Sequence, residues 1–166
     1  MRTIHSEKLP RILKSKRRLE TLLNVKITNQ GQEVSIDGKP EDEYTAEKVI
    51  EAINFGFPFS DALLIKEEDA MFEVINIKSH TRRNDLQRVR ARIIGTQGKT
   101  LKTLCTLSQC HFELKDNEVG IIGSPEHIKN AQEAIISIIK GSKQANIYKF
   151  LESHQPEHIA DLGLKK

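Results

Sequence analysis

The sequence predicts an α+β fold built from two tandem βααββα modules, each a three-stranded sheet packed on helices. Three observations predict it. The chain has 166 residues, 37% hydrophobic and 30% charged, enough for two small domains with modest cores. An ungapped offset of 85 superposes the second half on the first, placing Leu19 on Leu104, Val34 on Val119, Ile36 on Ile121, Gly38 on Gly123, Pro40 on Pro125, Ile50 on Ile135, Ile53 on Ile138 and Gly56 on Gly141. Nearly all of these are core, turn or cap positions, so the repeat is structural. Between the copies lies a connector, residues 58–70, whose Asp61-Ala62-Leu63-Leu64-Ile65 is too apolar for a free linker and predicts a short docked helix.

The elements follow in order. Residues 2–6 read as a short strand, and Leu9 to Leu23 as helical, with Pro10 tolerated only in a first turn. Val25 to Thr28 alternates as a strand and Glu33 to Ile36 is its partner across Gly31. The next helix opens on Pro40-Glu41-Asp42-Glu43, proline and acids suiting a first turn, turns Ala46, Val49, Ile50 and Ile53 inward, and stops at Gly56. Met71 to Ile77 begins the second copy, followed by a basic helical run, a glycine turn and a second helix. Cys110 to Leu114 and Val119 to Ile122 are strands around Asp116-Asn117, and Ser124-Pro125-Glu126 caps a long helix ending at Gly141. Asn146 to Leu151 is a last helical piece. The expected layout is therefore a first module at 1–57, the connector at 58–70, a second module at 71–154 and a flexible tail at 155–166.

The glycine turn, Gly95-Thr96-Gln97-Gly98, is the one stretch that points to chemistry. Gly98-Lys99-Thr100 ends like a Walker A loop, but that motif needs glycine where the chain has Ile93, and it follows a strand rather than an arginine-rich helix. What fits is the GXXG loop of the KH nucleic-acid module, which clamps a single-stranded backbone. Glycine lets a foreign backbone approach, and the following helix aims free N–H groups at an anion. From four letters alone, an ordinary helix–helix turn is the rival. The offset of 85 lays this turn on Pro10-Arg11-Ile12-Leu13, so the first module is expected to be degenerate, without the clamp. Its Lys14, Lys16, Arg17 and Arg18 either extend a basic track or form a solvated face.

Charge supports the nucleic-acid reading. The net charge is +3, yet Lys78 to Leu104 alone carries +7 and the remainder −4. Five of the eight cations in that window are arginines, which grip phosphates with a fork of donors. The candidate RNA-binding residues are Gly95, Thr96, Gln97, Gly98, Lys99, Lys102, Arg88, Arg90, Arg92 and Ile94. Arg88 and Arg92, four apart, share a helix side. Ile93, Ile94, Leu104 and Phe112 are candidates for an apolar seat for bases, with plain core packing the rival for Leu104 and Phe112.

The second copy, with RARIIGTQGKTLKTL, DNEVGIIGSPEHIKNAQEAI and IYKFLE, resembles the KH-domain factors of small-subunit ribosome assembly, the Partner-of-Nob (Dim-type) and Krr-related proteins. Ala52 to Phe57, Asp61-Ala62-Leu63 and Phe72-Glu73 extend the likeness, which is closer to archaeal than to eukaryotic members. It implies two packed type I KH modules, the first lacking GXXG. It implies binding to single-stranded small-subunit rRNA near its 3′ end, beside a Nob-type endonuclease and the alpha subunit of translation initiation factor two. The family's glycines fall on Gly95 and Gly98, while Thr96-Gln97 replaces the basic residue that many KH loops carry between them.

Other classes are disfavoured. Cys105 and Cys110 form no CxxC pair, and the six histidines are scattered, so no metal or cofactor is expected. No Ser/His/Asp or Cys/His spacing suggests catalysis. No apolar run nears the roughly 18 residues of a membrane span, and Met1 to Lys8 has no signal-peptide character, so a cytoplasmic protein is expected. The alternative is a protein-interaction adaptor with little RNA binding of its own, using the acidic remainder and the Ala62–Ile65 connector.

Overall fold

The structure, a computed structural model, describes residues 1–155, so the expected tail lies, apart from Gln155, outside the described residues. The first half runs β1 (Arg2–His5), α1 (Leu9–Lys14), α2 (Lys16–Leu23), β2 (Val25–Gln30), β3 (Glu33–Gly38) and α3 (Pro40–Phe55). A connecting helix α4 (Phe59–Glu67) follows. The second half runs β4 (Met71–Asn76), α5 (Leu86–Ile94), α6 (Lys99–Ser108), β5 (His111–Lys115), β6 (Glu118–Gly123) and α7 (Pro125–Ile139), and α8 (Gln144–Ser153) closes it. Both sheets are antiparallel with the last strand in the middle, β1-β3-β2 and β4-β6-β5. Each half has its own core. Ile12, Leu19, Ile36 and Ile50 are fully buried in the first, and Ile77, Ile93, Leu104 and Ile121 in the second. No helix among the described residues is long and apolar enough to cross a membrane.

Strand register corrects the alignment of the two halves. Ile4 pairs with Val34, and Ile75 pairs with Val119. The central strands obey the offset of 85, so the first strands obey one of 71. The second half therefore gains 14 residues between its first strand and its second helix. They go into a longer loop, a longer first helix, a longer second helix and the glycine turn itself. Pro10 to Leu13 lie inside α1 and are not the counterpart of Gly95 to Gly98. The counterpart is a one-residue break at Ser15 (φ −104°, ψ 8°) between α1 and α2. An ungapped comparison carries the offset of the strands across this length change and so misplaces the turn.

The halves pack through an aromatic cluster. Phe55, Phe57 and Phe72 meet with ring centroids 5.8–6.0 Å apart. Phe55 and Phe57 lie on Gly120 of β6, where a Cβ would sit 2.7 Å from the Phe55 ring. Polar contacts rim the cluster: Lys115 pairs with Glu7 at 3.3 Å, His111 lies 3.6 Å from Asp61, and Arg11 donates to the Phe57 carbonyl at 3.1 Å. Burial here pushes the Glu113 carboxyl above its usual range, with Lys8 and Arg11 opposing the shift. The connector helix contributes buried Ala62, Leu63 and Ile65. Those side chains are consumed by the fold, which removes them as a surface for a protein partner. One cap also differs from expectation: the Ser124 hydroxyl bonds the His127 ring at 2.7 Å and caps no N–H of α7.

Candidate nucleic-acid interface

Helix α5 carries most of the candidate residues, and its phase sorts them. Asp85 caps it, one carboxylate oxygen accepting from the Arg88 N–H at 3.3 Å. Val89 and Ile93 are buried in the core of the second half and fix the phase of the helix. That leaves two flanks. Gln87, Arg90 and Ile94 look toward β5, while Arg88 and Arg92 look the other way. At 100° per residue, arginines two apart cannot share a side.

The helix ends on the glycine turn. Gly95 N–H donates to Ala91 O at 2.8 Å, and Gly98 N–H to Gly95 O at 3.2 Å. Gly95 stands at φ 77°, ψ 177°, Gln97 at φ 56° and Gly98 at φ 76°. The two glycines do different work. A Cβ on Gly95 would meet Thr100, whose Cβ would be 2.6 Å away, whereas a Cβ on Gly98 would meet nothing within 4 Å. Gly95 makes the turn; Gly98 leaves open space at its outer side. Gly98→Ala should therefore cost only the left-handed backbone penalty, about 1–2 kcal/mol, seen as a fall in Tm of roughly 3–6 °C. Thr96 and Gln97 are exposed at the tip, and Lys99 begins α6 beside them.

On the β5 side of α5 lies a groove of about 390 Å³, lined by Gln87, Arg90, Ala91, Ile94, Leu114 and Asp116. Ile94 is 38% exposed there, an uncovered apolar side chain. Arg90 donates from Nη1 to the Asp116 carbonyl at 3.2 Å, while its Nε is buried without a hydrogen-bond partner. β5 is an edge strand, so one row of its backbone N–H and C=O groups is unpaired by the sheet.

On the opposite side of α5 lies a second cavity of about 460 Å³. Arg88, Arg92, Lys99, Gly95 and Thr96 reach it from the α5–α6 hairpin, and Gln144 and Tyr148 from α8. Lys102 is exposed on α6 and lines neither cavity.

Several candidates are corrected by this placement. Arg92 is not a free phosphate ligand: Nη1 donates to Ile138 O at 3.2 Å and Nη2 to Ser142 O at 2.8 Å, tying α5 to the end of α7. Arg88 shares a side with Arg92 as the spacing requires, but that side is not the groove. Ile93 is fully buried and seats no base; Leu104 and Phe112, 0% and 7% exposed, are core as well. Gln87, Leu114 and Asp116 were missed. Gln87 is one turn from Arg90 and was legible from helix phase; Leu114 and Asp116 reach the groove only through tertiary packing. Burial pushes the Cys110 thiol up to about 11 and raises Cys105, which suits packing rather than reactivity. No group of three or more His, Cys, Asp or Glu that could hold a metal occurs among the described residues.

Comparison with known proteins matches the second half to a described family. The Eukaryotic type KH-domain (KH-domain type I) family matches residues 71–156, the half that holds the glycine turn and both cavities. A KH domain-containing protein of Methanocaldococcus jannaschii is 31% identical over 110 residues, 66% of this chain and 48% of its own length. The pre-rRNA-processing protein PNO1 of Debaryomyces hansenii is 31% identical over 102 residues, 60% of this chain and 40% of its own. The chain thus spans half or less of the length of these relatives. A chain in the crystal structure of an a/eIF2alpha-aDim2p-rRNA complex from Pyrococcus horikoshii OT3 superposes with a TM-score of 0.82 at 28% identity, covering 92% of each chain.

Proposed function

The chain belongs to the PNO1-type KH-domain family, and from that premise we propose that it binds single-stranded rRNA near the 3′ end of the small subunit during ribosome assembly. The observation that carries the proposal is the continuity of the groove with the glycine turn: Ile94, uncovered in the groove beside Arg90, leads directly into the turn that ends on the open Gly98. Along that path the turn amides and the start of α6 receive phosphates, with Lys99 and Lys102 beside them. Ile94 seats a base, the Arg90 guanidinium lines the path of the strand, and the free edge of β5 reads base edges. The protein acts by binding, without a catalytic step.

We take the two halves as tandem KH modules, 1–57 and 71–154, joined by the connector at 58–70. The first is the degenerate one, its single-residue break at Ser15 offering no backbone opening. The aDim2p relative stands in a complex with a/eIF2alpha and rRNA, and both partners are proposed for this chain. A Nob-type endonuclease is proposed from the family likeness alone, as is a place in the cytoplasm.

Fluorescence anisotropy with labelled fragments from the 3′ end of small-subunit rRNA tests the reading. With Arg90, Lys99 and Lys102 neutralising phosphates, log Kd should change with log salt at a slope of about 2. A slope near zero, or no binding, would leave the adaptor role in its place.

A further inference from the structure

The cavity behind α5 is not used by the groove. It is bounded by three cations, Arg88, Arg92 and Lys99, and by Thr103, Gln144 and Tyr148; no Asp or Glu among the described residues lines it. Arg92 is committed to backbone carbonyls, whereas Arg88 is held only by an exposed ion pair with Asp85 at 3.7 Å, its side chain 77% exposed. Gln144 is anchored by donating to Thr100 Oγ1 at 3.0 Å, which fixes the start of α8 against the start of α6. The cavity and the glycine turn share Gly95 and Thr96, and Lys99, the first residue of α6, lines the cavity beside them. The cavity and the groove share Ala91, so they are the two flanks of a single helix end.

Resting on the RNA reading above, we propose that this cavity is a second subsite for the same strand. The phosphodiester backbone, having passed the glycine turn, crosses the end of α5 and lies in the α5–α6–α8 cleft. The geometry favours a continuous strand over a separate ligand. A KH loop clamps about four nucleotides, and a helix end is only about 10 Å across, so nucleotides just beyond the clamp reach the far side. What waits there is chemistry for a polyanion: Arg88 and Lys99 for phosphate, and the hydroxyls and amide of Thr103, Tyr148 and Gln144 for phosphate or ribose oxygens. Thr96 and Gln97, neutral at the tip, offer no strong hold on a phosphate, so a strand turning past them finds its next cations on this flank.

The test is a length series. Labelled fragments of four and eight nucleotides from the 3′ end of small-subunit rRNA, the longer containing the shorter, are titrated against wild type and Thr103→Glu/Gln144→Glu. The prediction is that wild type binds the longer RNA about tenfold tighter, that the double variant loses most of this gain, and that its four-nucleotide affinity stays within about twofold. Its salt slope on the longer RNA falls by roughly 0.7 for each phosphate that is no longer neutralised. Arg88→Gln, which adds no acid, should show a smaller loss of the same kind, and thermal unfolding verifies that each variant is folded. A length gain untouched by the variants overturns the subsite. So does equal weakening of both RNAs, which marks a charge acting at a distance. So does a gain lost instead in Lys14→Glu/Arg17→Glu, which routes the strand to the first half. Wild type that binds neither RNA overturns the groove reading and this one with it.

Discussion

Thr96→Asp/Gln97→Asp should lower RNA affinity on the order of 100-fold while the protein stays folded. Both side chains are exposed at the tip of the turn, so neither substitution removes a packed group. Gln97 sits at φ 56°, ψ 27°, a left-handed conformation that aspartate tolerates better than most residues. Both glycines remain. What changes is charge: two carboxylates where a phosphate should lie. Two like charges about 5 Å apart repel by about 3 kcal/mol at an effective dielectric of 20, and exposure to water and salt reduces this to about 1.4 kcal/mol each, a factor of about ten apiece. Anisotropy gives the affinity and circular dichroism the fold. A folded double variant with wild-type affinity would mean that the glycine turn is only a turn, and the basic α1–α2 hairpin would become the place to search.

Much of the fold was legible because its punctuation is explicit. Gly56 and Gly141 end equivalent helices, Pro40 and Pro125 begin them, and the strands before them alternate cleanly, so strand, turn, cap and helix agreed on one offset. The same offset failed across the α1–α2 hairpin because no glycine or proline marks Ser15, and a length change inside a helical run leaves no break in periodicity. The site was half legible. The glycines and the surplus of arginine could be read from the chain, and so could the helix that carries them. Which arginine faces what could not be read from charge. Arg88, Arg90 and Arg92 look alike in sequence, but one lines a rear cavity, one lines the groove and donates to the Asp116 carbonyl, and one is spent on the carbonyls of α7 and the residues just beyond it. Helix phase separates Arg90 from the other two. Only tertiary packing separates Arg92 from Arg88.

Gly95→Ala should be the most damaging substitution at the turn, and damaging through the fold rather than through RNA. Its φ of 77° and ψ of 177° lie in a region that essentially only glycine occupies, at a cost of about 1–3 kcal/mol for any other residue. The added Cβ would also lie 2.6 Å from Thr100 Cβ and 2.7 Å from Thr100 N. Neither atom can retreat easily. Thr100 is 5% exposed, its backbone opens α6, and its hydroxyl accepts from Gln144. Overpacking of this kind adds about 1–3 kcal/mol more. The sum is about 4 kcal/mol, a fall in Tm of roughly 8–16 °C for a chain of this size. Thr100→Ala placed on top should restore only part of it, since the backbone nitrogen and the dihedral strain remain. A double-mutant cycle by thermal unfolding measures that part. A Gly95→Ala variant within about 1 kcal/mol of wild type would show that the chain reaches this turn by another backbone conformation. The ordering of the two glycines matters for binding experiments too. Loss of RNA affinity in Gly95→Ala reports a broken turn, whereas loss in Gly98→Ala reports the approach of the strand itself only where it exceeds the fall in stability, because a Cβ there meets open space but still bears the left-handed backbone penalty.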